Sequence, residues 1–434
     1  MLPRILIAWE IGGYYGHFGT TLPIAYALRN GGYEPLFATP DTKVAAQALV
    51  PRGFPYVQSP RLTTPAKVLE PPGTYAEALL TEGYGDFDSL LGRVVAWQQL
   101  FRLWETRLLI VDHAPTALLA ARAAGLPAIQ VGHGFFVPPA VTPLPAIRPW
   151  EAPIEPRRVE HSEAIALNTV NKVLSKLGAA RSLDSLTELF TFGDRVLTTF
   201  PELDHFDGRV GDSYAGALFG CMESVQRSAV TRRGQGRIGR ADTLEAERSL
   251  SLESRGVEWE GIGCINIFAY IHENIPGLRE LLDALSASGS RALCVVPQLQ
   301  AEECRRLSTD NLTVSSQLRN LQGRLSGLDL VICGGIGVLA QALLAAVPVL
   351  LLPANLEQLL LGRRAEAMGA GVCIGTDRHP SVLESCLRRA LDEPAFRAAA
   401  AGFARRHVGF DPSSVVEHVV GLVHRRLGDH HRET

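Results

Sequence analysis

Short apolar runs, each closed by a turn, set the rhythm of this chain. Arg4 to Trp9 (RILIAW) is apolar at consecutive positions, which suits a strand buried on both faces. A glycine-rich turn, Ile11 to Gly16, follows it. Thr20 to Asn30 then places Leu22, Ile24, Ala25, Ala27 and Leu28 at helical spacing, and Gly31 and Gly32 end the helix. Pro35 to Thr39 reads as a second strand, completing a βαβ unit. The pattern returns in the strand Leu108 to Asp112, the helix Pro115 to Ala124 and the strands Ala128 to Gly132 and Val196 to Phe200.

Beyond Cys221 the rhythm stops. Arg, Ser, Glu and Gly dominate as far as Arg255, with little periodicity after Val230, as in a linker or insertion. Strand and helix alternation then resumes: strands at Ile265 to Tyr270, Ala292 to Val296, Leu328 to Ile332 and Val349 to Leu352, helices at Gly277 to Ser286 and Val338 to Ala345. The fold class expected is therefore α/β, with two Rossmann-like domains facing across a cleft. Residues 1–220 form the first domain, 221–260 a linker or insertion and 261–434 the second, with the last helix a candidate to pack back on the first. Two irregular stretches, Ser59 to Gly85 and Val137 to Arg158, are either ligand-wrapping insertions or surface decoration.

A length of 434 residues suits two domains, and the composition is globular. A net charge of -3 supplies no field that would gather nucleic acid, so nucleic acid is not an expected partner. The seven cysteines form no CxxC pair and show no metal-ligand spacing, so no metal is expected and a reduced, cytoplasmic setting is the simplest reading. No stretch is long enough to span a bilayer, the most apolar one being broken at Pro348; peripheral membrane contact stays open.

Candidate chemistry gathers at strand ends. In the turn GGYYGH, Gly12, Gly13 and Gly16 stand where backbone runs close to something, but the spacing departs from G-x-G-x-x-G and two tyrosines would crowd a pyrophosphate. Asp41 keeps a dinucleotide oxidoreductase in view. His17 follows at the cleft rim. A histidine at a helix start packs as readily as it acts as a base, and a base needs a carboxylate to orient it. Asp112 ends a strand at the same sheet edge, and it is equally placed to cap the helix that follows.

The segment ILIAWEIGGYYGHFGTTLPIAYALRNGGYEPLFAT resembles the N-terminus of bacterial UDP-glycosyltransferase-like (macrolide/UGT-type) enzymes of the GT-B fold. DHAPTALLAARAAGLPAIQVGHGFFVPP, LTTFPELDHF and YAGAL resemble later elements of the same family, and LDLVICGGIGVLAQALLAAVPVLLLPANLEQLLLGRRAEAMGAGV has the form of its donor-binding signature. The resemblance implies an inverting hexosyltransferase. His17, with Asp112 as partner, would deprotonate a hydroxyl of a small-molecule or lipid acceptor, which attacks a UDP- or dTDP-sugar. It implies no cofactor and no metal, the nucleotide sugar serving as co-substrate.

By the same resemblance, Gly16, Cys333, Gly334, Gly335, Gly337 and Val338 would surround the diphosphate, and Glu357 and Gln358 would bind the sugar. His133 and Phe135 are candidates for the acceptor pocket, with His272 and Glu273 facing the cleft. Cys333 and Val338 stand where the family has a histidine and a hydroxyl residue, and Ile336 replaces a small or polar one. A catalytically degenerate protein that binds a ligand or partner without transfer, or a nucleotide-sugar epimerase, are the alternatives.

Overall fold

The computed structural model describes residues 2–13, 16–64, 70–219, 266–317, 321, 325–375 and 378–429. The expected linker at 221–260, the tyrosines at 14 and 15 and Cys221 and Cys264 lie outside them.

Two six-stranded parallel sheets are formed by the described residues. The first holds β1 (Arg4–Trp9), β2 (Glu34–Thr39), β3 (Tyr56–Gln58), β4 (Thr106–Asp112), β5 (Ala128–Gly132) and β6 (Asp194–Leu197), in the order β3-β2-β1-β4-β5-β6. The second holds β7 (Asn266–Tyr270), β8 (Arg291–Val295), β9 (Leu312–Ser315), β10 (Leu330–Cys333), β11 (Val349–Leu351) and β12 (Gly371–Cys373), in the order β12-β11-β10-β7-β8-β9. Counted within its own half, each order is 3-2-1-4-5-6, so each sheet reverses direction once. The reversals lie between β1 and β4 and between β7 and β10, where crossover helices diverge to opposite faces and leave a crevice.

The first sheet is covered on both faces, as the continuous apolar run of β1 requires. On one face Trp97 and Val94 of the helix Phe87–Leu103 pack with Leu118 of Pro115–Ala124 and with Val170 and Val173 of Pro156–Lys176. The other face buries Leu22 and Leu28 of the helix Gly16–Asn30, together with Val415, Val419 and Val423 of the last helix, Pro412–Asp429. The last helix, which follows the second sheet in sequence, thus completes the core of the first. Tyr33 bonds His424 and Arg426 pairs with Asp194 at 2.7 Å across the same seam.

Several expected boundaries shift for local reasons. The first helix starts at Gly16, which brings His17 into its first turn. The helix after β10 starts at Ile336 because Gly335, extended at φ -107° and ψ 161°, is its cap. The strand expected over Val196 to Phe200 stops at Leu197, ahead of a 3₁₀ turn at Pro201–Leu203. Among the described residues no helix is long and apolar enough to cross a membrane.

Val419 is fully buried. Val419→Ala removes two methyl groups' worth of contact from the first core and is expected to cost about 1.5–2.5 kcal/mol, read as a lower urea midpoint with an unchanged m-value.

Candidate functional site

β1 and β4 are neighbours in register, with Trp9 opposite Asp112. The residues just beyond their ends must therefore meet. His17 Nδ1 lies 2.9 Å from Asp112 Oδ2, and both side chains are buried. The Nδ1–H donates to the carboxylate, leaving Nε2 as the nitrogen a substrate can reach. Thr21 Oγ1 donates to the His17 carbonyl at 2.8 Å, tying down the backbone that carries the ring.

Asp112 does not cap the following helix. The helix Pro115–Ala124 has Ala114 at its cap, and Thr116 N donates instead to Glu10 Oε2 at 2.9 Å. Glu10, just past β1, also accepts from Arg93 Nη1 at 3.3 Å, and burial pushes its carboxyl up to about 7. With the cap supplied by Glu10, Asp112 is free to face the histidine. Asp41 is likewise a helix cap, accepting from Lys43 N and Val44 N, and gives no support to a ribose-binding role.

Of the three turn glycines, only Gly12 is demanded by the geometry. Its φ is +93°, and a Cβ there would sit 3.2 Å from His17 Nε2, whereas Gly13 and Gly16 have open space around them.

His17 belongs to a stack of rings. Trp9 lies against it at 4.2 Å between centroids and Phe136 on its other side at 5.1 Å. Phe136 in turn stacks with His113 at 4.2 Å and meets His133 at 3.7 Å with the rings tilted by 37°, and His133 stacks with His205 at 4.4 Å. His113 holds a left-handed backbone, φ 49°, and Nδ1–H donates to the Ile11 carbonyl at 3.2 Å. Burial, with His17 adding to it, pushes the His113 imidazole down to about 3. Burial and then His205 hold His133 well below its usual value. Sequence reading named neither His113, Phe136 nor His205, although the first stands beside Asp112 in LLIVDHAPTA and the last inside LTTFPELDHF.

His133 and His205 meet because Gly134 allows it: a Cβ there would fall 1.9 Å from Asp204 Oδ1. Asp204 is locked by Arg209 at 2.6 Å and Tyr214 at 2.8 Å, and Arg209 also donates to the Gly134 carbonyl.

Between the carboxyl edges of the two sheets lies one continuous cavity of about 1100 Å³. Tyr75, Leu79, His133, Phe135 and Phe136 wall its first-domain side, with His17 at the centre. Gly334, Gly335, Gly337 and Val338 wall the other side together with His272, Glu357 and Gln358. The helix Ile336–Leu344 opens onto it with no side-chain cap, so its first N–H groups point into the space. A Cβ on Gly334 would meet Gln358 Oε1 at 2.7 Å, and that same oxygen accepts from Ala354 N at 2.8 Å, which fixes the amide.

Cys333 is the misplaced expectation. As the last residue of β10 it points into the core of the second domain with Val331 and Leu351; it is fully buried, and burial pushes its thiol up to about 12. It therefore does not take a phosphate-facing place. Glu273 is exposed, unlike His272 in the cavity wall. Arg364, on the helix Leu356–Ala367, pairs with Asp207 of the first domain. Glu357, in the first turn of the helix Leu356–Ala367, accepts through Oε1 from His205 Nε2 at 3.0 Å, and His133 Nε2 lies 3.3 Å from the same oxygen.

No protein-family model and no curated protein matches this sequence. Its likeness is to solved structures. The spinosyn rhamnosyltransferase SpnG, complexed with thymidine diphosphate, superposes with a TM-score of 0.62 at 19% identity, over 96% of this chain and 99% of that one. The glycosyltransferase SnogD from Streptomyces nogalater gives 0.57 at 18% identity, over 97% and 100%. The glycosyltransferase VinC, in complex with dTDP, gives 0.57 at 17%, over 98% and 99%. At such identities the likeness is one of fold, and with the paired sheets it gives this chain the GT-B fold.

The neutral state of His113 has a consequence for pH. Its unfolded value is about 6.5 and its folded value about 3, so between them the unfolded chain binds the extra proton. Stability is therefore complete above the unfolded value and falls as pH drops below it. His113→Asn is expected to flatten the acid limb of a urea-unfolding series by about 1.4 kcal/mol per pH unit.

Proposed function

We propose that the protein transfers a hexosyl group from a thymidine- or uridine-diphosphate sugar to a hydroxyl of an apolar small-molecule or lipid acceptor, with inversion at the anomeric carbon. The buried His17–Asp112 pair carries this reading: an oriented imidazole stands in the middle of a cleft whose far wall bears an uncapped helix N-terminus.

In this reading the acceptor lies against Tyr75, Leu79, Phe135 and Phe136, which offer an apolar surface beside His17. His17 Nε2 takes the hydroxyl proton as the oxygen attacks the anomeric carbon. The bond from that carbon to the diphosphate breaks, and the diphosphate leaves with the electron pair. Asp112 stabilises the imidazolium that forms. The N–H groups at the start of Ile336–Leu344 receive the charge developing on the leaving group, a role met by backbone dipoles with no metal invoked. Glu357 and Gln358 face the sugar from the next helix. SpnG and VinC, solved with the thymidine nucleotide, make that donor the first to try.

One observation favours a second reading, binding without transfer. The diphosphate turn carries Ile336 and Val338, with Cys333 turned into the core, so no side-chain donor is offered there by those positions. An epimerase is the third reading, and would convert the donor with no acceptor present.

The experiment is a mass-spectrometric screen of dTDP- and UDP-sugars against phenolic, polyketide and lipid acceptors. Transfer is expected, with His17→Ala lowering kcat by about 10³-fold or more and Asp112→Asn by about 10²–10⁴-fold, while the Kd for thymidine diphosphate stays within about twofold. Nucleotide binding with no turnover, indifferent to His17→Ala, supports the second reading; an altered sugar nucleotide formed without acceptor supports the third.

A further inference from the structure

A carboxylate that reads sugar hydroxyls is most useful when one of its oxygens is fixed. Glu357 sits on the second domain, yet the groups that hold it come from the first. His205 Nε2 and His133 Nε2 both approach Oε1, at 3.0 and 3.3 Å, and neither ring has a hydrogen-bond partner for Nδ1 among the described residues. In a neutral imidazole with a carboxylate beside Nε2 and nothing beside Nδ1, the proton belongs on Nε2. Oε1 therefore accepts an N–H from His205, with the Nε2 edge of His133 3.3 Å from the same oxygen. The other oxygen belongs to a side chain that is 16% exposed and forms part of the cavity wall.

The clasp is built, not incidental. His205 has no exposed side-chain surface and stacks on His133 at 4.4 Å, so neither ring can turn away without opening the core. The Asp204–Arg209 pair fixes the loop that carries His205, and Asp207 of the same loop pairs with Arg364, two turns further along the helix of Glu357. Two separate contacts thus dock one helix of the second domain on one loop of the first.

We propose that His133 and His205 are positioning residues that hold Glu357 Oε1 across the domain interface, presenting Oε2 to a donor-sugar hydroxyl, so that sugar recognition is completed only when the domains are together. This rests on the nucleotide-sugar reading above. The three donor atoms also lie within 4.8 Å of one another, a spacing that a divalent metal would accept. Ligating histidines ordinarily have a partner for their second nitrogen, and the unpartnered Nδ1 atoms favour hydrogen bonds to Glu357 instead.

Calorimetric titration of the full chain with thymidine diphosphate and with dTDP-glucose separates the sugar contribution from the nucleotide's. His205→Leu keeps volume and removes the donor; it is expected to weaken dTDP-glucose by about tenfold or more while leaving thymidine diphosphate within about twofold. His205→Gln, whose amide can donate, is expected to recover most of that loss. Equal loss for both ligands, no loss, or no recovery by Gln overturns the proposal. A second readout needs no ligand: unfolding free energies of His205→Leu, Glu357→Ala and the double variant are expected to be non-additive, and additivity overturns the clasp. If the unaltered protein binds neither ligand, the transferase reading and the sugar role fail together, while the unfolding cycle still decides whether the clasp exists. Stoichiometric zinc in the purified protein that is lost in His205→Leu overturns the proposal in favour of a metal centre.

Discussion

Parallel strands must all end on the same edge, and that constraint organises this molecule. Because most strands are followed by a crossover helix, the turns that leave the sheet collect along one side, and the side chains on those turns are brought together whatever their distance in sequence. His17 and Asp112 are 95 residues apart and meet because β1 and β4 are neighbours at the reversal of strand order. The second sheet repeats the arrangement, placing the glycine turn after β10 beside the end of β7. Facing these two edges toward one another yields the cleft.

What the sequence made legible follows from how each feature is encoded. β1, the helix Pro115–Ala124 and β5 were readable to the residue, since doubly buried strands are apolar throughout and a Pro start and Gly stop bracket the helix. The short strands β3, β9 and β12 carry too few residues to show a period. The two long helices at Phe87–Leu103 and Pro156–Lys176 went unnamed. At the site, strand ends pick out His17 and Asp112, and the resemblance of their segment to a donor-binding signature picks out Glu357 and Gln358. Their partners could not be found in either way. Whether Asp112 caps a helix or holds an imidazole depends on Glu10, a residue just past another strand, taking the cap. Cys333 was assigned to the cleft from its place in a motif, whereas the alternation of strand side chains turns it into the core.

The ring stack from Trp9 through His17, Phe136 and His133 to His205 gives the first-domain wall its rigidity. Planar side chains lose little rotamer freedom on packing, and each ring restricts its neighbours. The cost is that two imidazoles, His113 and His133, sit where a positive charge is poorly solvated, which ties the integrity of the wall to their staying neutral. The same packing that holds the His17 imidazole in position also confines the range of pH in which the wall is sound.

The last helix carries one more implication, for the order in which the protein is made. Val415, Val419 and Val423 fill the core that Ile5, Ile7 and Leu22 begin. While the chain grows from its N-terminus, the face of the first sheet that carries the helix Gly16–Asn30 is only partly covered, and its core stays incomplete until residues 412–429 have left the ribosome. The lobe synthesised first is therefore the lobe finished last, and the second lobe has its own strands and helices in hand before the first can close.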